Sequence, residues 1–157
     1  MSLRAYLDIF VMLNLLLPVC LYAQQSGDSK QRPEVTNTSI PKYTNLPQGR
    51  SANAAASLEG KIYVVGGYSN GFLGRVDVLN LRSGKWSRKK DLLVPRCFHA
   101  VVPASGKLYV FGGMNKETNS NDVEVYDPKQ DTWSQSTTLP RARNRLDAVA
   151  LGSRIYL

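Results

Sequence analysis

The chain has 157 residues, with 20 Lys+Arg against 12 Asp+Glu and a formal charge of +8. Its 43% hydrophobic and 20% charged residues, with 12 Gly and 8 Pro, suit a folded protein and exclude collagen-like or Pro-rich disordered chains. Two Cys exclude a stapling disulfide framework, and the single His, His99, excludes a metal site that needs two imidazoles.

Residues 1–23 read as a secretory signal peptide. Arg4 precedes an apolar stretch from Ile9 to Leu17 that fades towards Tyr22, interrupted by Asn14, with Asp8 at its edge. Leu21-Tyr22-Ala23 ends in a small residue suited to cleavage. The stretch is shorter than the ~20 residues that cross a bilayer as a helix, so no stable membrane span is expected. The expected location is secreted or extracellular, and cytoplasmic if this segment is not a true signal. Cleavage after Ala23 removes Cys20 and leaves Cys97 alone, which predicts a buried thiol beside Phe98.

Residues 24–45 read as a disordered polar linker, because they hold too few large apolar side chains to offset the entropy of ordering. Asn37-Thr38-Ser39 is a glycosylation sequon at Asn37, usable in the secretory pathway.

The remainder, 46–157, is internally repetitive. Lys61-Ile62-Tyr63-Val64 returns as Lys107-Leu108-Tyr109-Val110 and as Arg154-Ile155-Tyr156-Leu157. Gly66-Gly67 returns as Gly112-Gly113, Val76-Asp77-Val78 as Val123-Glu124-Val125, and Trp86 as Trp133. Ala54-Ala55-Ala56 is matched to Ala100-Val101-Val102 and to Ala148-Val149-Ala150. The period is about 47 residues, and each unit predicts four short strands, as in His99–Pro103, Lys107–Phe111, Asp122–Tyr126 and Thr132–Ser134. Asn70-Gly71, Ser83-Gly84 and Asp127-Pro128 mark turns between strands. Such units match the blades of a β-propeller, whose small twisted sheets are stable only when stacked. The continuous apolar run Ile62-Tyr63-Val64-Val65 then faces protein on both sides, and Trp86 and Trp133 fill the space between blades.

These residues resemble the kelch repeat: a Gly pair, an aromatic near the third strand, a Trp, then Pro-Arg before the next unit. Gly112, Gly113, Tyr126, Trp133 and Leu139-Pro140-Arg141 carry the pattern in one unit. Gly66, Gly67, Trp86 and Pro95-Arg96 carry it in the other, with Leu79 in place of the aromatic. The implied fold is all-β: kelch-type propeller blades of four antiparallel strands. About two and a half blades fit, so an incomplete ring is expected, with the remaining blades missing from this chain and a Gly pair due near 159–160. The chain is accordingly read as a fragment of a larger propeller.

The resemblance implies constant blades and variable rim loops that bind other proteins, without catalysis or cofactor. One alternative it raises is the substrate-recognition propeller of a kelch-like cullin ubiquitin ligase adaptor, here without the BTB domain that role needs. Another is a secreted enzyme resembling sialic acid mutarotases. The copper oxidases of the galactose oxidase type share the propeller family, but their site needs two His and a Tyr cross-linked to Cys. No phosphate loop follows Gly66-Gly67, and no nucleic-acid module is recognised, so neither a nucleotide nor nucleic acid is expected.

The excess charge is concentrated. Arg75, Arg82, Lys85, Arg88, Lys89, Lys90 and Arg96 face only Asp77 and Asp91 in residues 75–96, and Arg141, Arg143 and Arg145 cluster one unit later. Arg96, Arg141, Arg143, Lys89 and Lys90 are therefore candidates for binding an acidic peptide or an anionic glycan, since guanidinium groups bind carboxylate or sulfate bidentately. His99 has no nucleophile beside it and reads as a hydrogen-bonded core or channel imidazole. The connections Tyr68–Gly74 and Met114–Asn121 are further candidate contacts.

Overall fold

The computed structural model describes residues 45–116 and 118–157, which form strands, turns and loops only. The signal segment, Asn37 and nearly all of the 24–45 linker lie outside the described residues. Strands β1 (Ala54–Leu58), β2 (Lys61–Val65), β3 (Val76–Asn80) and β4 (Lys85–Lys89) make one antiparallel sheet in chain order. Strands β5 (Ala100–Ala104) and β6 (Lys107–Phe111) continue into a small hairpin, β7 (Met114–Asn115) and β8 (Thr118–Asn119). Strands β9 (Asp122–Asp127) and β10 (Thr132–Thr138) then complete a second sheet in the order β5-β6-β9-β10. Strands β11 (Val149–Leu151) and β12 (Arg154–Tyr156) form a third hairpin. This is the expected architecture of four-stranded propeller blades; the β7–β8 hairpin is an addition that the repeat did not announce.

Alternation along β6 explains why its sequence is apolar at successive positions. Leu108 and Val110 point into a core with Tyr63, Val65, Val76, Val78, Leu92, Tyr126 and Trp133, between the first two blades. Phe111 and the half-buried Tyr109 point the other way, into a core with Val102, Val123 and Leu139. That second core is closed by Ala150 and Ile155 of the third hairpin and by Leu146 and Ala148 of the segment leading into it. Fully burying one such side chain stabilises the fold by about 1.5–3 kcal/mol, so blades hold one another by their faces. Trp133 is a joint residue of this kind: its Nε1–H donates to the Lys90 carbonyl of the preceding blade at 2.9 Å, and its ring lies 4.9 Å from that of Tyr126. Trp86, at the same position one blade earlier, is only half-buried.

The glycine doublets have a specific cause. Gly67 N–H donates to the Arg96 carbonyl and Gly113 N–H to the Arg143 carbonyl, each at 2.9 Å, so each doublet grips the segment leading into the next blade. A Cβ on Gly66 would lie 2.7 Å from the Arg96 carbonyl oxygen, and one on Gly112 would lie 2.6 Å from that of Arg143. Both glycines also have positive φ, at 59° and 57°, a conformation that disfavours any side chain.

The pairings correct one alignment. Ala56, Val102 and Val149 stand opposite Tyr63, Tyr109 and Tyr156 respectively. The third unit is therefore shifted by one residue from the match to Ala148-Val149-Ala150: Asp147, not Ala148, corresponds to Ala100. Because side chains alternate, one residue decides which face each meets. β5 also begins one residue after His99, and β10 runs four residues past Ser134 to Thr138.

Candidate interaction face

The segments entering each blade repeat in detail. Arg50, Arg96 and Arg143 occupy one position, two residues before Ala52, Phe98 and Arg145, which all have positive φ near 50°. Phe98 N–H donates to the Ala52 carbonyl at 2.9 Å, and Arg145 N–H donates to the Phe98 carbonyl at 2.8 Å. The backbone therefore seats each of these arginines in the same way, and only their side-chain partners differ.

Arg50 Nη1 donates to Asp77 Oδ2 at 2.7 Å, and Arg75 clamps the same carboxylate through Nε and Nη2, each at 2.7 Å. Burial pushes the Asp77 pKa up, but the bonds from Arg75 and Arg50 outweigh it and hold the carboxyl below its ordinary value. In the next blade Arg96 Nη2 donates to Glu124 Oε1 at 2.7 Å, while Nη1 donates to the Gly112 carbonyl at 2.9 Å and Nε to the Val94 carbonyl at 3.1 Å. Glu124 also accepts the N–H groups of Leu93 and Val94, at 2.8 and 3.1 Å. Each of these carboxylates thus ties the third strand of a blade to the segment that enters it.

Arg96 is consequently no ligand site. It is 0% exposed, and all three of its guanidinium nitrogens donate inside the fold, so the expectation that it binds an external anion is corrected. Lys89 and Lys90 sit at the joint of the two blades. Lys89 Nζ lies 3.6 Å from Asp131 Oδ2, and Lys90 contributes its N–H to Asp131 and its carbonyl to Trp133. Arg141 and Arg143 are exposed, as is Arg145, whose guanidinium stands 4.8 Å above the Phe98 ring.

His99 is 5% exposed and lies in the joint between the two glycine doublets. It is not the satisfied imidazole expected: neither ring nitrogen has a hydrogen-bond partner among the described residues. Burial and the neighbouring Arg96 charge push its pKa down to about 4; the Val65 backbone opposes this weakly, without a well-formed hydrogen bond. The ring is therefore neutral at pH 7. Cys97 is buried as expected, and burial pushes its thiol pKa up despite the Arg145 charge, which makes it a poor nucleophile.

What remains accessible is one face carrying the β2–β3 and β6–β9 connections beside the segments that enter the blades. A groove of about 490 Å³ opens there, lined by Phe72, Val94, Pro95, Asn115 and Lys116. Tyr68 packs edge-on against Phe72, with ring centroids 5.5 Å apart. Cys97 and Met114 exchange backbone hydrogen bonds, and Asn144 donates to Asn119, which joins the groove's hairpin to the Arg141–Arg145 segment. The structure thus brings both candidate loops to one groove, and ties the second of them to the Arg141–Arg145 segment through the Arg143 backbone and Asn144.

The architecture is that of kelch-propeller blades. The family model for the KLHDC2/KLHL20/DRC7 Kelch-repeats domain matches residues 27–157, and the chain belongs to the kelch-repeat family. It is 31% identical over 118 residues to Kelch-like protein 35 of Mus musculus, an alignment covering 74% of this chain and 21% of that protein. It is 34% identical over 99 residues to Kelch-like ECH-associated protein 1B of Danio rerio, covering 60% of this chain and 17% of the relative. The chain therefore spans about a fifth of the length of these relatives. The solved structure of YjhT superposes with a TM-score of 0.64 at 21% identity, over 71% of this chain and 34% of that one.

Proposed function

We propose that this chain is a non-enzymatic protein-binding segment that takes an acidic peptide on the face described above. The observation that carries this reading is an apolar groove at Phe72, Val94 and Pro95 with exposed Lys116 in its lining, whose hairpin is tied through Asn119 and Asn144 to the segment that carries exposed Arg141, Arg143 and Arg145. Apolar side chains supply contact area, while the cations select carboxylates and speed encounter. The same face would serve a kelch-like adaptor, a role suggested by relatives such as Kelch repeat and BTB domain-containing protein 12 of Danio rerio. Asp77 and Glu124 are buried, so neither supplies the mutarotase-like alternative with a catalytic acid or base. Secretion is part of the proposal, and its mark is an N-terminus at Gln24 in protein recovered from medium.

Titration with a fluorescent peptide of alternating Glu and Leu tests the binding. Lys116→Ala with Arg141→Ala should weaken it by roughly tenfold and flatten its salt dependence. Unchanged affinity in that double variant would defeat the acidic-partner reading.

A further inference from the structure

The last residue of the third strand differs between the two complete blades in one group. In the second blade Asp127 Oδ1 accepts the N–H groups of Lys129 and Gln130, at 2.9 and 3.4 Å. Its Oδ2 lies 3.5 Å from Lys107 Nζ. In the first blade Asn80 takes this position. Asn80 Oδ1 accepts the N–H groups of Arg82 and Ser83 in the same way, at 2.9 and 3.1 Å. Those bonds orient the side-chain amide, so Nδ2 stands where the second blade has a carboxylate oxygen. Lys61, the counterpart of Lys107, is paired with Asn80 across the sheet, opposite a donor rather than an acceptor. Lys85 is paired with Asn80 from the other side, where the second blade has Thr132. Paired residues share a side of the sheet, and two strand spacings put the lysine Cα atoms roughly 10 Å apart. Two lysine side chains can converge across that span on one small ion. Among the described residues neither lysine has an ion-pair partner, and nor has Arg82, exposed in the turn. Glu59 of the β1–β2 turn is exposed and pairs with none of the three.

We infer that Asn80, flanked by Lys61 and Lys85, is a binding site for a tetrahedral oxyanion, the sulfate or phosphate monoester of a partner. The ester supplies the acceptor that Asp127 supplies internally in the second blade. Its oxygens accept from Asn80 Nδ2 and from the two ammonium groups, and Arg82 adds to the positive field. Three donor groups converge there, so an ion with three free oxygens fits better than a carboxylate with two. The strands that carry the site are paired within one complete sheet. The site lies at the strand ends away from the β2–β3 connection. It is therefore separate from the groove at Phe72 and Pro95, and does not rest on the acidic-peptide reading.

The test titrates the whole chain with phenyl phosphate and with phenyl sulfate at neutral pH, following the backbone amides of Arg82 and Ser83 by NMR. Saturable shifts are expected there. Lys61→Gln and Lys85→Gln should each weaken binding by roughly threefold. Asn80→Asp installs the internal acceptor of the second blade, and should weaken binding by at least about tenfold. The same variant should keep its near-UV CD and a thermal midpoint no lower than that of the parent. Lys129→Gln lowers the net charge equally on the other blade, and should leave the affinity intact. Tighter binding of the phosphate ester assigns the site to a phosphorylated partner, and equal or tighter binding of the sulfate ester to a sulfated one. The inference is overturned by the absence of saturable shifts with both probes, or by affinity unchanged in both lysine variants. Equal weakening by Asn80→Asp and Lys129→Gln would overturn it too, as the mark of diffuse charge screening.

Discussion

The two complete blades and the β11–β12 hairpin are built from nearly the same local sequence, yet they reach different states. Tyr63 and Tyr156 occupy one position of the repeat, and Lys61-Ile62-Tyr63 parallels Arg154-Ile155-Tyr156. The first tyrosine is sealed between sheets, whereas the second lies on an open edge. Arg96 and Arg143 differ in the same way, one enclosed with Glu124 and the other reaching into solvent. Burial in this fold is thus a property of the neighbour rather than of the strand. A blade's second strand becomes core only when a third strand and an adjoining blade cover it.

That contrast can be broken most strongly at the enclosed ion pair. Glu124→Gln leaves the buried Arg96 with only the more distant, partly exposed Asp122, 3.5 Å away, as a counter-charge, so thermal or urea unfolding should show a loss of about 3 kcal/mol. The matching loss of charge at the open site, Arg143→Gln, should change stability by less than about 0.5 kcal/mol. Equal effects at the two sites would mean that the repeat's position, not its enclosure, sets the energy.

An effect of similar size, confined to acid pH, is expected at His99, which fills the joint between the two blades. The unfolded imidazole takes up a proton near pH 6.5, while the folded one resists until about 4. Stability is thus full above pH 6.5 and falls with pH down to about 4, by about 3 kcal/mol in total. His99→Asn, which installs the residue found at the equivalent Asn53, should remove the part of the slope that is centred in this window. The measurement is the unfolding midpoint against pH, and a slope unchanged in the variant would remove His99 as its source.

The mildest comparison sets Tyr126 against Tyr156. Tyr126 O–H donates to Asp131 Oδ1 at 2.6 Å inside the first joint. Tyr126→Phe should therefore cost about 1 kcal/mol in urea unfolding. Tyr156→Phe, on the exposed hairpin, should be neutral within error.

The repeat was legible because its anchors answer local demands. Gly66-Gly67 and Gly112-Gly113 need left-handed backbone, the apolar second strands need cover on both faces, and the turn residues mark where strands reverse. Those demands recur at one period, so the all-β class and the four-stranded repeat unit could be read from order alone. The partner of Arg96 could not. The correspondence of Asp77 with Glu124 was visible as periodicity, but the Pro-Arg pattern paired Arg96 with Arg141, whereas the structure seats Arg96 and Arg143 alike, and a guanidinium among other cations looks the same in a sequence whether it meets solvent or a carboxylate.

The sequence by itself therefore determined the strands, the blade and the kelch family, since each rests on short-range geometry repeated in order. Only the tertiary structure decided that Arg96 is a buried tie, that His99 is enclosed without a hydrogen-bond partner among the described residues, and that the third unit is shifted by one residue. Each of those depends on contacts between residues a strand or a blade apart, and a free energy of enclosure exists only once the enclosing surface has formed.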